Sequence, residues 1–265
     1  DCGFPVIPEY LAKQRFPEES ISNAEVTHIW TEDINLSKHI AKAANISYVA
    51  EKLTDMIGKV DAILLARDDS ENHSIYARPF LDAGIPIYID KPLALTVKDA
   101  KKLLSYQAFP GQIFTCSALK YAKELQLSNE QIHSLGKIYY IKAVVPKDWD
   151  KYSIHVIDPI VQLPIDKGSI SWSVANKVGP ISNLTAAYSK EIILSIESVG
   201  EIVTPIKISI YGNVSNIELE FEDTFSAFKL ALSTFINNVI AENFTEITDS
   251  VLEVVKLIEL GRLRN

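Results

Sequence analysis

The sequence predicts an α/β domain built on a parallel sheet, followed by an α+β domain whose sheet is mainly antiparallel. From Glu25 to Ser117, short apolar runs alternate with helical stretches, the pattern of parallel strands joined by crossover helices. Beyond Gly136 most strand-like stretches follow one another without helices between them. The change falls near Ala118, so residues 1–118 are expected to form one domain and residues 119–265 a second.

Taken in order, Ile7 to Gln14 reads as a short helix after a glycine turn. Glu25 to Trp30 alternates and is rich in β-branched residues, so it reads as a strand. Thr31-Glu32-Asp33 caps an amphipathic helix, Leu36 to Ala44, with Leu36, Ile40, Ala43 and Ala44 on one face. Ser47 to Ala50 is a brief strand and Leu53 to Ile57 a short helix. Val60 to Ala66 reads as a strand buried on both faces. A polar loop, Arg67 to Asn72, leads into a helix from His73 to Ala83, where Ile75, Ala77, Phe80 and Leu81 recur at helical spacing and Gly84 ends the run. Ile85 to Ile89 is a second buried strand that runs into Asp90-Lys91-Pro92. In open parallel sheets ligands gather beyond the carboxyl ends of the strands, where this loop and this turn both fall. Thr96 is placed to cap a helix from Val97 to Tyr106. Ile113 to Ser117 is the last strand, and Leu119 to Leu127 leads out as a helix.

In the second half, Gly136 to Val145 is a long strand, followed by a polar turn, Pro146 to Asp150, and a helix from Tyr152 to Leu163. Strands are expected over Ser169 to Val178, Ser182 to Tyr188, Glu191 to Val199, Ile206 to Gly212 and Ile217 to Phe221. In the first of these Ile170, Trp172 and Val174 share one face and serines the other. Helices from Ser226 to Glu242 and Thr248 to Arg262 close the chain.

Composition narrows the partners. The 265 residues carry a net charge of −8 with no long run of Lys or Arg, which speaks against nucleic acid. Apolar runs fall short of a membrane span and no signal peptide is visible, so no membrane partner and a cytoplasmic location are expected. Cys2 and Cys116 are the only cysteines and lack ligand spacing, so neither a disulfide framework nor a metal site is expected. No Met opens the chain, and no apolar strand stands where a doubly wound domain should begin. Either the sequence is a processed fragment or residues ahead of Asp1 carry that strand.

The run from Val60 to Ala94, VDAILLARDDSENHSIYARPFLDAGIPIYIDKPLA, holds a strand, a loop with Asn and His, a helix ending in Ala-Gly, a strand and then Asp-Lys-Pro. It resembles the glucose–fructose oxidoreductase/inositol dehydrogenase (Gfo/Idh/MocA) family. The resemblance implies a Rossmann-like dinucleotide-binding domain followed by a substrate and oligomerisation domain. It further implies NAD or NADP as cofactor, a small-molecule substrate and a homodimer or homotetramer. Lys91 would lie beside the nicotinamide and the substrate, with Asp90 and Pro92 in the same turn. Asn72 and His73 would lie at the nicotinamide edge; read from the residues alone they are a polar pair opening a helix. Arg67, Asp68 and Asp69 replace the small loop usual in the family, and either line the cofactor crevice or are simply solvated. Of the glycine motif that cradles a pyrophosphate only Gly3 remains, followed by Phe4, with Pro5 and Pro8 close by. That loop either touches the cofactor or is a mere turn. The ribose-binding acid of the family falls near Thr31, with Glu32 and Asp33 just after it. Asp33 serves equally as a helix N-cap, and a carboxylate bound to the ribose would favour NAD.

A second constellation is Trp149-Asp150-Lys151-Tyr152-Ser153-Ile154-His155-Val156-Ile157-Asp158. It resembles the family's site helix, in which Asp-x-x-x-His precedes an apolar residue and Asp. His155 and Asp158 fit that frame, Lys151 stands where the first Asp is expected, and Tyr152 with His155 matches a Tyr-x-x-His variant. By the resemblance His155 donates or accepts a proton and Tyr152 orients substrate or shares that proton. Lys120-Tyr121 resembles the Arg-aromatic pair that begins the substrate domain in such branches, and Lys151 and Asp158 join it on the substrate side. The implied activity is NAD(P)-dependent hydride transfer at a hydroxyl-bearing carbon of a sugar, cyclitol or related molecule. The alternative is a degenerate relative that binds a small ligand or a protein and catalyses nothing. The eroded glycine motif favours that alternative, while Lys91, Tyr152 and His155 favour the enzyme and should converge on one small volume.

Overall fold

The structure, a computed structural model, describes residue 9 and residues 11–263; Gly3, Phe4 and, of the expected Ile7–Gln14 helix, Ile7, Pro8 and Tyr10 lie outside them. The chain forms two compact units, Asp1–Lys52 and Leu53–Asn265. In the first, β1 (His28–Ile29) pairs in parallel with β2 (Tyr48–Val49) across helix α1 (Ile34–Ala44). Asp33 caps α1 by accepting the Asn35 N–H at 2.8 Å, and Asn45 ends it in the left-handed region at φ 54°. The buried face of α1 is Ser37 and Ala41, while Leu36 is exposed, contrary to the apolar face expected. A polar tie marks that face, since Ser37 Oγ accepts the Thr31 N–H at 2.8 Å.

In the second unit β3 (Ile63–Leu65), α2 (His73–Asp82), β4 (Ile87–Ile89), α3 (Val97–Leu104) and β5 (Ile113–Phe114) build a parallel sheet in the order β3-β4-β5. Burial alternates along β3, whose Leu64 is exposed, so this strand is not covered on both faces as expected. In α2 the apolar Ile75 is exposed and His73 takes a buried position with Ala77, Phe80 and Leu81. Gly84 ends the helix with φ +73°, a conformation glycine adopts without strain. Thr96 caps α3 through Asp99 N–H.

The expected Leu119–Leu127 helix is instead two short 3-10 turns, Ala118–Tyr121 and Lys123–Leu125, because Ala122 and Gln126 are extended. The α-helix there is α4 (Asn129–Leu135), opened by a capping box of Ser128 and Gln131. Next come β6 (Ile138–Val145), α5 (Trp149–Tyr152), which begins inside the expected Pro146–Asp150 turn, and α6 (Ile154–Gln162), which is the expected Tyr152–Leu163 helix without its first two residues and its last. Five strands follow, β7 (Ile170–Val178), β8 (Ile181–Tyr188), β9 (Ile193–Ser198), β10 (Lys207–Gly212) and β11 (Asn216–Glu220), then α7 (Thr224–Ile240) and α8 (Thr248–Gly261). The sheet order is β11-β10-β6-β9-β8-β7, antiparallel except for the β6–β9 pair. A register shift between Ile170 and Trp172 divides the apolar face expected in β7: Ile170 packs on the core, while Trp172 and Val174 are exposed. That core joins Ile141, Leu194 and Ile208 of the sheet to Ile157 of α6 and Ile258 of α8.

The end of α8 holds α5 in place. Trp149 Nε1 donates to the Ile258 carbonyl at 2.9 Å and Arg262 Nε to Asp150 at 3.0 Å. Gly261 lies so close that a Cβ there would stand 1.9 Å from the Trp149 ring. Gly261→Ala is therefore expected to cost roughly 1–3 kcal/mol, the usual scale of overpacking. A urea midpoint equal to that of the unaltered chain would show that Trp149 yields freely.

Candidate active site

The carboxyl ends of β3 and β4 are organised by an internal network. Arg67 donates to Asp69 through Nε at 2.8 Å and Nη2 at 2.6 Å, and stacks 4.1 Å above the Tyr76 ring. Asn72 Nδ2 donates to the same carboxylate at 2.7 Å. Hydrogen bonds from Arg67 and Asn72 hold the Asp69 carboxyl well below its ordinary range. His73 is fully buried, with Nδ1 3.1 Å from the Leu93 carbonyl and Nε2 3.0 Å from the Arg67 carbonyl. Both ring nitrogens thus face main chain, and His73 ties the loop after β3 to the turn after β4. In that turn the peptide before Pro92 is cis, and the Lys91 side chain is 21% exposed with Nζ 3.3 Å from Asp90.

Helix α6 brings the second group to Lys91. His155 is buried, and its Nδ1 lies 2.9 Å from Ser117 Oγ, just past β5. Burial, then the positive charges of Lys91 and Lys147, hold the imidazole down to about 3. The strand-end lysine and the helix histidine are therefore near enough for charge to act between them. The Tyr152 ring meets the His155 ring edge-on at a centroid distance of 5.3 Å. Lys147 Nζ donates to Tyr152 Oη and lies 4.4 Å from the centre of that ring.

The other residues assigned to the substrate side sit apart from this group or are already committed. Asp158 accepts the Ser117 N–H at 2.8 Å; burial pushes its carboxyl up, countered in part by Lys120. For Lys120 burial disfavours the ammonium, yet Asp158, Cys116 and Tyr121 outweigh it and the net shift is upward. Lys120, Asp158 and Thr115, whose buried Oγ1 has no protein partner, line a cavity of about 20 Å³, room for roughly one water rather than a substrate. Tyr121 packs against the Phe114–Phe235 cluster. Lys151 Nζ reaches Asp68 at 2.6 Å, an exposed ion pair across a cleft of about 740 Å³ that Pro92 and Arg262 also line. Ser117 and Lys147 belong to no motif legible in the sequence. Their signal is positional: Ser117 closes the last parallel strand and Lys147 follows the carboxyl end of β6.

In the first unit Asp33 is the N-cap of α1, and Thr31 Oγ1 donates to the Asp33 carbonyl at 2.7 Å. Glu32 and Asp33 are both exposed. Within the second unit, the Lys91 ammonium beyond β4 is chemically suited to the hydroxyl-bearing partner of a nicotinamide.

Residues 9–116 match the model of the GFO_IDH_MocA family, described as an oxidoreductase family with an NAD-binding Rossmann fold. No curated protein matches the sequence. Among solved structures the chain is similar to myo-inositol 2-dehydrogenase from Lactobacillus plantarum, at 14% identity and TM-score 0.77, covering 91% of this chain and 89% of that one. It is similar to GenD2 from gentamicin A biosynthesis in complex with NAD, at 12% identity and TM-score 0.74, covering 89% and 85%. A third is the UDP-N-acetylglucosamine 3-dehydrogenase GnnA from Acidithiobacillus ferrooxidans, at 12% identity and TM-score 0.70, covering 89% and 88%. At these identities the likeness is one of fold.

Proposed function

We propose that this chain is an NAD(P)-dependent dehydrogenase or reductase of the GFO_IDH_MocA family, whose model, with its NAD-binding Rossmann fold, residues 9–116 match. It moves a hydride to or from a hydroxyl-bearing carbon of a sugar, cyclitol or related small molecule. The observation that supports the reading is the buried His155, with the Tyr152 ring against it and the charge of Lys91 among the causes that depress it. Residues 1–118 form the cofactor side and residues 119–265 the substrate side. Lys91 and the turn at Asp90 and Pro92 would hold the cofactor, which supplies the hydride acceptor or donor when bound. NAD is the form proposed, since a carboxylate on the ribose would repel a 2′-phosphate.

The protein's own part is alignment and the proton. Lys91 Nζ holds the substrate oxygen and offsets negative charge as it grows there. His155 is neutral near pH 7 and exchanges a proton at Nε2. Ser117 complements either tautomer, donating to a bare Nδ1 or accepting from Nδ1–H. Negative charge growing between Lys91 and Lys147 offsets the cations that depress the ring, so His155 becomes more basic as the oxygen loses its proton. The exposed Trp172, Val174 and Val178 of the edge strand β7 support a homodimer or homotetramer, which a monomer by light scattering would contradict.

Titration of the whole chain with NADH and NADPH, followed by thermal shift and nicotinamide fluorescence, tests the cofactor. Turnover with inositols and UDP-sugars tests the substrate class. Binding of NADH with reduction or oxidation of at least one such compound is expected; silence with both nucleotides would sink the reading.

A further inference from the structure

We propose that Lys147 is a positioning residue of this site, holding the Tyr152 hydroxyl and ring against His155 by donating to Tyr152 Oη. The inference rests on the functional reading above for its kinetic part alone; the geometry stands without it.

Lys147 is a non-glycine residue with φ 62°, in the left-handed region that a residue with a Cβ adopts only at a cost. Three hydrogen bonds hold it there. Its N–H donates to the Gly200 carbonyl at 2.6 Å, and its carbonyl accepts the Gly200 N–H at 3.0 Å and the Ser198 hydroxyl at 2.6 Å. Gly200 is pinned in turn, since a Cβ there would stand 2.8 Å from Pro180. The backbone of an exposed lysine is thus fixed more firmly than an exposed lysine needs. The result is an ammonium fixed on one atom, Tyr152 Oη, within contact distance of the ring face. Tyr152 is the last residue of the four-residue helix α5, which by itself would hold a side chain loosely. The tether at the free end of the ring replaces that missing rigidity.

Electrostatics agrees with the placement. The charged and titratable groups around His155 are Lys91 from the turn after β4, Lys147 after β6 and Tyr152 on α5; Lys120 and Asp158 couple to one another. Lys147 is one of the two cations that depress the imidazole. A unit charge several ångströms away, at an effective dielectric between that of a protein surface and water, is worth about half a pH unit.

The test compares Lys147→Met, which removes the charge and the donor, with Lys147→Arg, which keeps both. In the whole chain without added ligand, NMR of labelled His and Tyr should show the Tyr152 ring parted from the His155 ring in Lys147→Met. The same spectra should show the His155 midpoint raised by about half a pH unit in that variant. Lys147→Arg should restore both. A structural role alone would leave the His155 midpoint unmoved. With a substrate that turns over, Lys147→Met should lower kcat more than it raises KM, and Lys147→Met/Tyr152→Phe should be no slower than Tyr152→Phe. Rings still in contact and an unshifted midpoint in Lys147→Met, or kinetic losses that multiply in the double variant, would overturn the assignment. The NMR arm needs no substrate, so it decides the positioning role even where the proposed hydride transfer fails.

Discussion

Lys91→Ala is expected to leave the chain folded and to lower turnover at least about a hundredfold, the scale of a positioned group acting on a reacting oxygen. The side chain leaves the carboxyl end of β4, where a ligand of a parallel sheet sits, and is one-fifth exposed, so it is reachable without being fully hydrated. Its contact with Asp90 is long at 3.3 Å, which leaves the ammonium able to favour a substrate oxygen. Removing it takes away the charge that stabilises an alkoxide and one of the cations acting on His155. The variant should therefore show a higher His155 midpoint together with a large fall in kcat. Circular dichroism and the urea midpoint check that the fold persists. Near-normal turnover in the folded variant would remove Lys91 from the mechanism.

The second large effect is on stability. His155 is held at about 3 in the folded chain, whereas an unfolded histidine titrates near 6.5. Between these values the unfolded state binds the proton and the folded state refuses it, so acid favours unfolding. This contribution is fully present above about pH 6.5 and is lost progressively as pH falls toward 3. At pH 5 the loss from this one group should be roughly 2 kcal/mol relative to pH 7.5. His155→Gln retains a partner for Ser117 but cannot titrate. Urea unfolding at the two pH values should show the unaltered chain losing roughly 2 kcal/mol more than the variant over that interval. Carboxylates such as Asp158, raised by burial, act in both chains and cancel in the difference. An equal acid loss in the two chains would mean that His155 takes up its proton in the fold at an ordinary pH.

The order and type of most elements are legible in the residues because local forces set them. Alternation of apolar runs with helical spacing marks β3, α2 and β4, and Thr96 and Gly84 mark ends that cap chemistry decides. Lys91, Tyr152 and His155 are singled out by their fixed offsets within a turn and a helix and by likeness to a known family, and of these the structure shows Tyr152 and His155 ring to ring. The tertiary structure decided what contact and solvent decide. His73, next to Asn72 in the chain, turns inward to two carbonyls, while Ile75 faces water, because the packing of α2 rather than its polarity set that face. Glu32 and Asp33 are adjacent exposed carboxylates, and the start of the helix decides that Asp33 is the cap. A shift of one residue in β7 separates Ile170 from Trp172, and pairing with β8, not composition, made it. Ser117 and Lys147 lie 38 and 8 residues before His155 and reach it only because β5 and β6 deliver them there. Local pattern specifies which residues can do chemistry; long-range packing specifies which of them meet.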